Sequence, residues 1–233
     1  MALTITAKGA AGGGSGTATL SSLTISGGAT VVACVHSNNT AAGTPACTYN
    51  PGGGAVAMTI ATGPHRGGSN CAVTIFYLDN VDAATGSGAV SGTDGSDDCS
   101  VLVYQITGAA ATSSFDKGTG ASGRSTAPSS GATTTLSQAD EAVVGAITIG
   151  YQSVLTWTDP TANTQMNEPE NNMQANSAAK VVSATTAQTA YGADSVKDYW
   201  SAAVATFKMA AAPTAPVGKS YSYQQAVTTA AYH

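Results

Sequence analysis

Cys99–Thr107 reads CSVLVYQIT and Glu141–Tyr151 reads EAVVGAITIGY. Both are short apolar runs rich in Val and Ile, which fit a pleated, buried surface. A third run, TVVACVHS (Thr30–Ser37), is apolar and β-branched enough to be buried on both faces. Working outward, Thr17–Ile25 alternates through Ala18, Leu20, Leu23 and Ile25. Ala55–Ala61, Cys71–Leu78 (CAVTIFYL), Val181–Ser183 and Tyr199–Lys208 (YWSAAVATFK) complete the series of expected strands. Clusters such as GG, NPGGG and PSSG separate them and supply turn chemistry. Short strands with that punctuation predict an all-β fold, an antiparallel β-sandwich of jelly-roll-like type. The Ala-rich stretches carry too much Thr, Gly and Ser for helices, and only Asn171–Lys180 has room for one short helical turn.

The ends read differently. Gly9–Gly16 (GAAGGGSG) predicts a mobile arm, so residues 1–16 form an N-terminal segment ahead of a sandwich over residues 17–208. Residues 209–233 begin as a Pro-punctuated linker, MAAAPTAP, and continue as a Gln/Ala/Thr-rich tail bearing Tyr221, Tyr223 and Tyr232. A frayed terminus is the bland reading of such a tail. The functional one is an arm whose tyrosines order against a neighbouring subunit, because Tyr buries a large ring at low entropy cost.

Charged residues make up 9% of the 233, and Leu, Ile, Val and Phe are few, so a thin core padded by Ala carries a surface of Ser, Thr, Asn, Gln and Gly. Eight Lys and Arg spread over the chain form no basic stripe, which argues against nucleic-acid binding. No apolar stretch approaches the length of a membrane span, and MALTITAKGAAGGG lacks the apolar core of a secretory signal.

Catalytic signatures are sparse. No Ser sits in a GxSxG elbow; His36 ends an apolar strand and reads as structural, His65 lies in the turn-like TGPHRGG, and His233 is terminal. Gly118–Gly123 (GTGASG) matches GxGxxG, but a Ser/Gly loop follows where a dinucleotide site needs a helix. Asp94, Asp97 and Asp98, in TDGSDD between two expected strands, are solvated turn residues or calcium ligands. Glu168 and Glu170 would act as a glycosidase pair only if the fold set them apart correctly. Trp200 reads as core, whereas Trp157 (LTWTDP), with Tyr151 nearby, is a candidate glycan platform. Asn38–Asn39–Thr40 is a glycosylation sequon of a kind common by chance in such a composition. Cys34, Cys47, Cys71 and Cys99 show no zinc spacing and are either small buried residues or disulfide partners, with 34–47 and 71–99 the preferred pairing.

The order of segments carries a resemblance: TVVACVHSN, then TIFYLDNV, GSGAVSG, CSVLVYQITG, SSFDKGTGASGRSTAPSSG, TLSQADEAVVGAITIG and DYWSAAVATFK. It resembles the jelly-roll-like β-sandwich domains found among decoration, fibre and minor capsid proteins of tailed bacteriophages, over about Thr17 to Lys208. That resemblance implies a non-enzymatic protein of the virion surface that needs no cofactor, forms homo-oligomers and docks on a major capsid or other virion protein. The alternative expectation is an extracellular carbohydrate-binding or adhesin-like sandwich, with calcium assisting.

Overall fold

The computed structural model describes residues 2–38, 43–68, 71–95, 98–150, 154–160, 166–170 and 173–211, the backbone alone at 167–170. All its regular structure is β. The first eight strands are β1 (Thr4–Gly13), β2 (Thr17–Ile25), β3 (Thr30–Ser37), β4 (Ala46–Asn50), β5 (Val56–Ala57), β6 (Thr59–Gly67), β7 (Cys71–Leu78) and β8 (Ala84–Thr93). The rest are β9 (Cys99–Thr107), β10 (Phe115–Ser125), β11 (Asp140–Ile149), β12 (Leu155–Asp159), β13 (Met166–Glu170), β14 (Met173–Ser183), β15 (Tyr191–Asp194) and β16 (Asp198–Lys208).

They pair antiparallel into a central sheet β1-β9-β3-β7-β6, a second sheet β10-β16-β11-β14-β13, a third sheet β2-β8-β4-β5 and a two-stranded ribbon β12-β15. The central sheet is buried on both faces, as the composition of β3 demands. Val31, Ala33 and Val35 point into one core with Leu23, Tyr49 and Val90 of the third sheet. Val32 and Cys34 alternate to the other side, where Leu102, Tyr104 and Ile106 meet Ala142, Ala146, Ala175 and Ala203 of the second sheet. Large side chains from one sheet thus face a layer of alanines from the other, which is how a chain with few large aliphatics still fills two interlayer spaces. The outer face of the third sheet is hydroxyl-rich, with Thr19 Oγ1 and Ser91 Oγ hydrogen-bonded at 2.8 Å.

Strands β2, β3, β7 and β9 span the residues expected from the sequence. Other stretches differ: Ala55–Ala61, expected as one strand, divides between β5 and β6, and Val181–Ser183 is the end of the longer β14. Gly9–Gly13, expected as a mobile arm, belongs to β1 and pairs with Val103–Cys99 of β9. A Cβ at Gly13 would run into the Thr17 carbonyl, so glycine here allows the tight reversal into β2. The GTGASG motif lies in β10, paired with β16, and opens no helix. Within Asn171–Lys180 the described residues, Met173 onward, are strand β14 laid against β11 and not a helical turn. Its Ala-rich sequence is recruited by the sheet on either side, and β propensity yields to pairing. Among the described residues no helix is long and apolar enough to cross a membrane.

Candidate functional site

A histidine–hydroxyl pair does form between the layers. His36 and Thr148 are fully buried, and His36 Nδ1 lies 2.8 Å from Thr148 Oγ1. Thr148 donates its own proton to the Ala72 carbonyl at 2.9 Å, so its oxygen accepts from His36, which fixes the Nδ1–H tautomer. His36 Nε2 is left as a buried acceptor without a hydrogen-bond partner. Burial drives the imidazole pKa down to about 3. A threonine that gives its proton elsewhere is not a nucleophile activated by this histidine. The pair ties the central sheet to the second sheet, as Tyr104 Oη and Ser177 Oγ do at 2.9 Å. His65, expected in a solvated turn, sits half-buried in β6 with Nε2 3.0 Å from Thr62 Oγ1, and burial lowers its pKa.

The acidic stretch between β8 and β9 is divided. Asp94 is 3% exposed and grips Arg66, with Nη1 donating to Oδ2 at 3.1 Å and Nη2 to Oδ1 at 2.7 Å. Ser37 Oγ donates to the same carboxylate at 2.7 Å, and Arg66 also reaches the Gly43 carbonyl. Asp98 accepts from Asn38 Nδ2 at 3.1 Å, while Asp97 lies outside the described residues. Asp94 thereby pins three strands, β6 through Arg66, β3 through Ser37 and the end of β8, which it directly follows. Among the described residues no group of three His, Cys, Asp or Glu could hold a metal.

The expected glycan platform is not an open ring. Trp157 is half-buried on β12, packed beside Trp200 and Ile147 on one side and Val143 and Val204 on the other, with Tyr151 outside the described residues. Trp200 is core as expected, its Nε1 donating to Ser125 Oγ at 2.9 Å. The side chains of Glu168 and Glu170 lie outside the described residues, as do Thr40, Tyr221, Tyr223, Tyr232 and His233.

All four cysteines are free and buried, which corrects the expected pairing. Cys34 faces the core shared with the second sheet, whereas Cys47 lies in the core on the opposite face of the central sheet. Cys71 and Cys99 sit on β7 and β9, which flank β3 on its two sides. Two strand spacings separate them by roughly 10 Å, beyond the reach of a disulfide. Burial pushes the Cys47 and Cys71 thiols up to about 12 and Cys34 further still.

One titratable group carries no signal in the sequence. Glu141, within an expected strand, has 0% exposure, and neither carboxyl oxygen has a hydrogen-bond partner in good geometry. Burial, reinforced by the nearby Asp116 carboxylate, raises its pKa to about 7. Asp116 is held by Ser137, whose N and Oγ donate at 2.8 and 2.7 Å.

The described ends of the chain meet at Gly108. Ala210 N donates to the Gly108 carbonyl at 2.9 Å, and a Cβ on Gly108 would press on the Ala2 carbonyl.

No family model, curated protein or solved structure matches this chain. Its own geometry carries the functional argument.

Proposed function

We propose that this chain is a structural protein of a particle surface, acting by docking and assembly, with a virion as the particle that the jelly-roll-like resemblance suggests. The observation that carries the reading is where the polar chemistry lies. Asp94–Arg66 and His36–Thr148 are spent in joining strands and layers, while the exposed sheet face presents neutral hydroxyls such as Thr19 and Ser91. Copies with such faces pack side by side without the charge repulsion that ionised surfaces bring. The segment carrying Tyr221, Tyr223 and Tyr232 follows Ala210, whose N–H is bonded to the Gly108 carbonyl, in sequence and serves as the docking arm. Weak contacts repeated over many copies add through effective concentration. The partner is a second copy of the chain or a shell protein of the same particle.

Sedimentation of the full chain against a version ending at residue 211 tests this. The full chain forms higher oligomers or co-sediments with purified particles; the shortened one stays monomeric with an unchanged melting temperature. Equal assembly by both would remove the arm from the mechanism.

A further inference from the structure

Among the described residues three that are not glycine adopt left-handed backbone, and two of them, Asn80 (φ 50°) and Ser113 (φ 54°), line the same groove. That conformation is costly outside glycine and persists where the surroundings impose it. Asp79, next to one and bonded beside the other, ties the two turns together. Its Oδ1 accepts from Thr30 Oγ1 at 2.9 Å and from Ser114 Oγ, and its Oδ2 accepts from Ser114 N at 3.0 Å. One carboxylate therefore clamps the turn at 113–114 onto the turn at 79–80 and fixes two walls of the groove. Tyr77 at its base is wedged between Phe115 and Phe207, with ring centroids 5.8 and 5.7 Å away.

The groove consists of two shallow hollows that share Leu78, Asp79 and Asn80. One, of about 390 Å³, reaches to Thr59 and Thr112; the other, of about 190 Å³, reaches to Tyr49, Val56 and Asp82. No Lys or Arg lines either hollow, and two carboxylates do, so an anionic ligand is repelled. With Asp79 engaged in the clamp, the polar groups that face a ligand are the Asp82 carboxylate, which accepts, the Asn80 carboxamide, which both donates and accepts, and hydroxyls at Thr59, Thr112 and Ser113. Beside them lie apolar patches at Leu78 and at Val56, which is 48% exposed. An uncharged ligand with many hydroxyls and apolar C–H faces matches this set, and two adjoining hollows suit more than one ring.

We propose that this groove binds a neutral oligosaccharide. The proposal goes beyond the assembly role and does not depend on it: a chain ending at residue 211 keeps every lining residue.

The test is a titration of the ¹⁵N-labelled full chain with neutral oligosaccharides of glucose, N-acetylglucosamine, galactose and mannose at millimolar concentration, with oligogalacturonate as the anionic control. At least one neutral sugar shifts the amides of Tyr77–Asp82 and Ala111–Ser114 saturably, and the control does not. Asn80→Gly separates binding from folding, because glycine accepts a φ of 50° without strain while the carboxamide is lost. It weakens the sugar at least tenfold and leaves the melting temperature unchanged or higher. The proposal fails if no neutral sugar shifts these amides, if shifts map elsewhere, if the anionic control binds as well, or if Asn80→Gly binds as the parent does.

Discussion

Two buried titratable residues set opposite pH responses. Glu141 has its acid pKa raised from 4.5 to about 7 in the fold. The stability it contributes is complete below about 4.5 and is lost as pH rises through about 7, because the folded state holds the proton more tightly. Above about pH 7 the ionised carboxylate destabilises the fold relative to a neutral group. Glu141→Gln, which cannot ionise, is expected to melt several degrees higher than the parent at pH 8 and near it at pH 4.5, read by calorimetry. An unchanged difference across that range would show that Glu141 does not titrate in the fold. His36 acts the other way, its pKa depressed from 6.5 to about 3. Its contribution is complete above about 6.5 and is lost as pH falls towards 3. Between about 4.5 and 6.5 the two slopes offset each other. Below 4.5 His36 still changes whereas Glu141 does not, so His36→Asn, which retains a donor for Thr148, is expected to make the acid limb shallower while lowering stability at pH 7 by about 1–3 kcal/mol. An acid limb as steep as the parent's would assign the effect to other groups. The cysteines give a third outcome at this scale. A thiol reagent finds none in the native chain and four after denaturation; fewer than four would mean that bridges exist.

Among the elements, β3, β7 and β9 were legible because each is a β-branched run closed by turn residues, and burial on both faces selects that composition. β1 and β10 were not, because GAAGG and GTGASG carry little strand propensity of their own. Their glycines are explained only by what lies over them. A Cβ on Gly123 would come within 2.7 Å of the Trp200 ring, and one on Gly120 would strike His65. Gly123→Ala is therefore expected to displace Trp200 from Ser125 and cost about 1–3 kcal/mol by denaturant midpoint. No change in the midpoint would mean that the close approach is not what requires glycine there. The Asp94 environment was illegible for a related reason: Arg66, its counter-charge, is 28 residues away in sequence and meets it only when β6 and β8 take their places. Spacing within TDGSDD could suggest oxygen ligands for a cation, but it carried no sign of a guanidinium.

At the scale of the whole molecule, the sequence carried the class of fold but not the number of layers. Val31 and Val32 are equally apolar, and only the assembled sheets show that they serve different cores. The same limit applied to the groove at Asp79, whose walls come from β7 and from the segment before β10 and share no motif. Thermal melting offers a test at this scale. Because the central sheet contributes to both interlayer cores, signals from the second and third sheets are expected to be lost in one transition. Two separated transitions would show the layers to be independent units.

The meeting of Ala2 and Ala210 at Gly108 makes residues 2–210, taken without the segment that follows, a natural cassette. With entry and exit side by side, it can be spliced into a surface loop of an unrelated host protein without prising that loop apart, or closed head to tail by a short linker and reopened at another exposed turn. In either setting everything remote from Gly108 faces away from its support, which is the posture of an emblem on a shield.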